Sequence, residues 1–190
     1  MKKNKEKGVI ITTIILVLVF FIYFLNLVNF IYLKHLVKIA DYPQEFVCAN
    51  VLVYGSSDST VSTNITFLSD TGETIYTIER SFNGNNLYVD FVTFSSGKKM
   101  ISFPTKVYSD YLSSSNGIIL KKIIFDKNKC LLYKDEKIHD ICKYCYSPNM
   151  HFYNSVKHTK INLSQCEFQK NYVMILSNDG SINVLPLDEY

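Results

Sequence analysis

"VIITTIILVLVFFIYFLNLVNFIYL", residues 9–33, runs for 25 residues without one charged side chain. As a helix it would be about 38 Å long at about 1.5 Å per residue, against a bilayer hydrocarbon core of about 30 Å. A soluble domain rarely needs that much unbroken apolar surface. The run therefore predicts a transmembrane helix, with the rest of the chain folding beside it.

The flanks set the expected orientation. Lys2, Lys3, Lys5 and Lys7 precede the helix against a single Glu6, while Lys34 and Lys38 follow it. The basic excess places the N-terminus in the cytoplasm and the body outside. A cleaved signal peptide has an apolar region of about 7–15 residues and a small-x-small cleavage site. Here the run is longer, and "KHLVKIADYP" offers only Ala40. Phe46 and Val47 before Cys48 lack the small residue that a lipoprotein site wants. The expected organisation is a basic tail over 1–8, a signal-anchor helix over 9–33, a juxtamembrane linker over 34–45 broken by Pro43, and an extracytoplasmic body over 46–190.

Charge narrows the function. The chain has 20 basic and 17 acidic residues, and the tail alone supplies the surplus, so the body is formally neutral. That is not the basic footprint of a nucleic-acid binder. Arg80 is the single arginine, so bidentate phosphate or carboxylate recognition is poorly supplied. The tail lysines suit an anionic inner leaflet, and the membrane is the expected partner.

From Phe46 onward the pattern is short apolar runs between turn residues, with no clear amphipathic helix. "FVCANVLVY", "VSTNITFL", "ETIYTIERSF", "LYVDFVTF", "MISFPTKVY", "GIILKKIIF" and "CLLYK" read as strands. "YVMIL-SNDGS-INVLPL" reads as a hairpin, since Asp-Gly supplies the positive φ of a tight turn. One more strand is expected near 160–163. Together these predict a small antiparallel β-sandwich or barrel-like domain. Each body glycine falls in an expected turn, leaving none for a phosphate loop. Pro104 inside a strand marks an edge or a bulge. The segment 135–169 is expected to be a stapled loop.

"HDICKYCYSPNMH", 139–151, carries Cys142 and Cys145 between His139 and His151. In an oxidising compartment cysteines default to disulfides. Cys130, Cys142, Cys145 and Cys166 are the candidates, with pairing open and Cys48 left unpaired. A redox dithiol needs a helix starting on the Cys-x-x-Cys to lower the first thiol's pKa, and "CKYCYSP" meets Pro148 first. Zinc needs a second ligand pair, and His151 and His158 fit no common spacing. No metal or other cofactor is expected. Nucleophile-elbow, phosphate-loop and zinc-protease signatures are missing, and "SSS" at 113–115 reads as a solvated loop, so no catalytic residue is assigned.

Three features bear on contacts. Tyr76, Tyr88, Tyr108 and Tyr111 fall in or near strands and suit either half-buried positions or a ligand face. Asn26 and Asn29, with Tyr32, share one face of the anchor as helix-association candidates or as residues at the outer interface. Asn64 and Asn162 sit in glycosylation triplets.

The basic leader ending "KG" before "VIITTIILVLVFF" resembles the start of a type IV pilin or pseudopilin. That resemblance implies cleavage between Gly8 and Val9, a β-rich head and helix packing in a filament. The fifth mature position, where the family has Glu, is Thr13 here. Taken together, the residues point to a membrane-anchored binding or scaffolding protein with a protein partner at the outer face. The alternatives are a tethered thiol oxidoreductase using Cys142 and Cys145, and a pilin-like subunit.

Overall fold

The computed structural model describes residues 2–57, 60–111, 117–147 and 155–189, with side chains described from Ile10 onward except at 56–57. Helix α1 spans Lys2–Ile39. It has the length and composition to cross a membrane, with a mean hydropathy of 2.7 over its apolar window. From Ile10 to Leu25 every side chain is exposed, Phe20 to 70 %.

The helix does not stop at Leu33. Residues 34–39, expected as linker, are its last turns, and Ala40 still donates to the Leu36 carbonyl at 2.8 Å. Phe30, Leu33, Leu36, Val37 and Ala40 recur at steps of three and four, which puts them on one face. That face is buried in the body, Leu33 to 1 % and Val37 to 0 % exposure. Pro43 then keeps the chain extended into the first strand.

The body is an antiparallel sandwich of two packed sheets, not a closed barrel. Its strands are β1 (Glu45–Ser57), β2 (Thr60–Leu68), β3 (Thr74–Asn83), β4 (Leu87–Ser96), β5 (Lys99–Ser109) and β6 (Ile118–Ile119). A single turn, α2 (Lys121–Ile124), leads to the hairpin β7 (Phe125–Asp126) and β8 (Lys129–Cys130). Helix α3 (Lys137–Tyr146) precedes β9 (Val156–Asn162), β10 (Asn171–Ser177) and β11 (Ile182–Pro186). One sheet runs β11-β10-β1-β2-β3 and the other β6-β5-β4-β9.

The alternating runs became strands because period 2 sends one side of each into the core. In β2 burial alternates along the whole strand. The β10–β11 hairpin turns at Gly180, whose φ of +83° suits a residue without a Cβ. Pro104 lies beside a bulge, where the β4–β5 register slips between Asp90 and Phe91. A second bulge makes Cys48 an extra residue between Val47 and Ala49, so Cys48 and Ala49 are both fully buried. Gly55 sits in β1 at a third register slip, not in a turn.

Three expectations between 118 and 147 need correction. Of "CLLYK" only Cys130 lies in a strand, β8, and 131–134 are bends and loop. "GIILKKIIF" divides into a two-residue strand, a helical turn and the start of a hairpin. Residues 137–146, expected as stapled loop, form α3. Its buried residues are Ile138, Ile141, Cys142 and Cys145, the i, i+3, i+4, i+7 stripe of an amphipathic helix. The stripe is invisible if the cysteines are read for chemistry alone. Ser147 is already extended before Pro148.

Candidate functional site at the helix–sandwich junction

Cross-strand pairing places Val92 opposite Phe103 and Phe94 opposite Ile101, all on one face of β4–β5. The buried end of α1 and the apolar stripe of α3 pack there. The Phe94 ring meets Phe30 edge-on at 6.3 Å and Tyr144 at 5.8 Å. The Phe103 ring meets Tyr146 at 5.9 Å and Tyr133 at 5.6 Å. Tyr133 reaches the other sheet through Phe46 of β1 at 5.3 Å, and its hydroxyl donates to the Ser102 carbonyl at 3.1 Å. The anchor's end, α3 and both sheets thus share one core.

Polar contacts lock the same junction. The Tyr32 hydroxyl donates to Asp140 of α3 at 3.3 Å. Ser96 donates to the Lys34 carbonyl at 3.1 Å and Lys99 to the Lys38 carbonyl at 3.4 Å, and the second satisfies one of the open carbonyls at the end of α1. Asp135 accepts from the Asp41 backbone N–H at 2.7 Å, from Lys137 N–H at 2.9 Å and from its ammonium at 3.2 Å. Burial works against its charge, but these donors prevail and hold the carboxyl below the usual carboxylate range. Asp135 therefore ties the exit of α1 to the start of α3.

Between α1 and α3 lies an open cleft of about 340 Å³ lined by Asn29, Tyr32, Leu33, Asp140, Lys143, Tyr144 and Ser147. Asn29 and Tyr32 turn toward α3. Asn26 donates to the Ile22 carbonyl of its own helix at 2.8 Å. The face expected to associate with other helices is partly engaged within the chain.

All five cysteines are buried, and all are free thiols. The staples expected among Cys130, Cys142, Cys145 and Cys166 are not formed in this structure. Cys130 on β8 and Cys142 on α3 are neighbours in the shared core, close enough for the Cys142 thiol to favour the Cys130 thiolate. Backbone N–H groups of Leu132 and Tyr133 also point at Cys130. Burial opposes ionisation at Cys130, yet these donors bring it below an ordinary thiol, while burial and its neighbour push Cys142 up. Burial, then the nearby Cys130, also raises Cys145. Cys166 lies in the turn after β9, where burial alone pushes it up to about 11. Cys48 is enclosed in β1.

This arrangement does not suit a redox dithiol. Cys142 and Cys145 are the sixth and ninth residues of the ten in α3, toward its negative end. Exposed, acidified thiols attack disulfides, and these two are buried and raised. Among the described residues no group of three His, Cys, Asp or Glu side chains is placed to hold a metal. His151, Pro148 and the serines 113–115 lie outside the described residues.

The four tyrosines do not form one face. Tyr88 and Tyr108 pair at 5.6 Å, with the Lys160 ammonium 3.9 Å from the Tyr88 ring centre. Tyr76 is on the other sheet, and Tyr111 follows β5 at 73 % exposure. Asn64 sits in the middle of β2, and Asn162 ends β9 with its side chain accepting from Ser164. Reading the sequence missed Tyr133, Asp135 and Asp140. Only the helical stripe of α3 could have pointed to the last. No family model matches the chain, and neither does any curated protein or solved structure.

Proposed function

We propose that this chain is a single-pass membrane protein, with its N-terminus cytoplasmic and a disulfide-stapled β-sandwich outside, acting as a binding or scaffolding module. The observation that carries the reading is the division of α1. The 16 residues from Ile10 to Leu25 are exposed and mostly apolar, about 24 Å of helix against a hydrocarbon core of about 30 Å. The residues just beyond are core of the sandwich. Signal-peptide cleavage near Ala40 would strip Leu33, Leu36 and Val37 from that core, which favours a retained anchor. The body then sits against the membrane surface on a rigid helix, with the α1–α3 cleft at headgroup level.

The test combines alkaline carbonate extraction, intact mass and protease treatment of sealed, right-side-out membranes. Retention in the pellet, an uncut N-terminus and digestion of the body from outside are expected. A carbonate-soluble body, or one that starts after residue 33, sinks the anchor. Protection of the body from external protease reverses the orientation. A start at Val9 favours the pilin-like alternative, in which the same docked helix would carry the head into a filament.

A further inference from the structure

The cleft between α1 and α3 carries one charge of each sign, and it opens where the bare stretch of the anchor ends. About 20 helical residues span a hydrocarbon core of about 30 Å. Counted from Ile10, they end at Asn29, the first residue that lines the cleft. We propose that this cleft binds the headgroup of a zwitterionic phospholipid, with the phosphate on Lys143 and the amine on Asp140. The proposal rests on the anchored reading of α1 and names a partner for that junction.

Asp140 and Lys143 stand three apart on α3, which puts them on one face with Cβ atoms about 5–6 Å apart. Both are exposed, and they do not neutralise each other. Among the described residues the ion pairs are Lys137–Asp135 and Lys170–Asp188. One oxygen of Asp140 accepts from the Tyr32 hydroxyl at 3.3 Å. That contact, made from the anchor helix, positions the carboxylate at the cleft and leaves its other oxygen to accept from an amine. Lys143 supplies the ammonium for a phosphate, and Asn29 adds an amide donor from α1.

The rest of the lining suits a lipid. Tyr32 and Tyr144 bring aromatic rings, which attract a cation, and the Tyr144 ring is held by its edge-on contact with Phe94 at 5.8 Å. Leu33 adds apolar lining. On the membrane side of Asn29, Leu25 and Val28 are exposed and give acyl chains an apolar surface to follow. The volume of about 340 Å³ lies within the usual range for small-ligand sites, about 300–1,000 Å³. An anionic headgroup would bring its charge against Asp140 as well as Lys143. A phosphate joined to an amine meets an opposite charge at each end. A bound headgroup bridges α1 and α3 from the solvent side and sets the depth of the body on the bilayer.

The test is native mass spectrometry of the full chain in detergent, with phosphatidylethanolamine and phosphatidylglycerol of identical acyl chains added at equal concentration. Phosphatidylethanolamine should be retained about tenfold better, the effect expected of one charge-assisted hydrogen bond. Asp140→Asn and Lys143→Gln should each cut that retention about tenfold. Lys170→Gln, which removes a lysine outside the cleft, should leave it unchanged. Both cleft positions are exposed, and unchanged thermal unfolding confirms that the variants fold. Equal retention of phosphatidylglycerol, or undiminished retention in either cleft variant, overturns the proposal. Displacement of the lipid by equimolar phosphoethanolamine overturns the membrane source, because a free phosphate ester would then suffice. Carbonate extraction reads the anchor separately. A carbonate-soluble chain whose cleft variants lose phosphatidylethanolamine keeps the cleft chemistry and loses the membrane placement. A chain that stays in the pellet while its variants bind as before keeps the anchor and loses the cleft.

Discussion

From Ile10 to Leu25 every side chain of helix α1 is exposed, and from Phe30 to Ala40 the same helix is built into the sandwich on one face. Both parts are apolar, so hydropathy alone cannot separate them. What separates them is the solvent each is made for. The bare part is apolar all round, as a lipid-facing rod must be. The docked part is apolar on one face, and its other face carries Lys34, His35 and Lys38. Lys34 holds its ammonium over the Phe30 ring at 4.6 Å. The change from ring to stripe falls near Asn29, which is where the proposed anchor would meet the membrane surface.

The largest test of this division is substitution on either side of it. Leu33→Ala should cost about 2–5 kcal/mol of sandwich stability, the range for a fully buried leucine. Leu18→Ala should move it by less than about 0.5 kcal/mol, as for a site outside the folded core. Chemical denaturation of the full chain in detergent measures both. Equal effects would mean that the helix end is not core.

Next in size is the effect of a disulfide staple on the docked side, as the proposed function has it. If Cys142 is joined to another cysteine of the body, reduction should lower stability by about 3 kcal/mol, the entropic value for a closed loop of about 15 residues. The loss should be absent in Cys142→Ser. A reduction effect that persists in that variant would assign the staple elsewhere.

Asp135 comes third. Asp135→Asn should cost about 1–2 kcal/mol at neutral pH, since charge-assisted hydrogen bonds to Asp41 and Lys137 weaken. Its folded pKa is depressed. Its contribution is therefore full above the unfolded value near 4 and is lost as pH falls through the lower folded value. The gap between native and variant stability should close below about pH 4. A gap that stays constant down to pH 3 would remove the carboxylate from the account.

The smallest effect is at Tyr42, next to the exit of α1. Its buried hydroxyl has no hydrogen-bond partner among the described residues, and burial pushes its pKa up to about 12. Tyr42→Phe should leave stability unchanged or raise it by up to about 1 kcal/mol, because an unsatisfied polar group is removed while the ring contact with Tyr133 remains. Destabilisation would mean that the hydroxyl has a partner, such as ordered water.

Much of the sandwich was legible because strands and turns are local. The alternation in "VSTNITFL", the Asp-Gly of the last hairpin and the bulge beside Pro104 each follow from a few neighbouring residues. Helix α3 was legible too, but only by counting Cys142 and Cys145 as apolar surface. The candidate site was scarcely legible. Asn29 and Tyr32 were singled out on α1, but their neighbour Asp140 lies 108 residues beyond Tyr32. No local pattern announces such a meeting.

By itself, the sequence determined that this chain carries an apolar rod and a series of short antiparallel strands, because hydrophobic period and backbone turn preference act over a few residues. The tertiary structure alone decided where the rod stops being solvent-facing, which thiols are neighbours and which carboxylate ties helix to helix. Those outcomes depend on which distant surfaces close over one another, and that is settled only when the whole core packs.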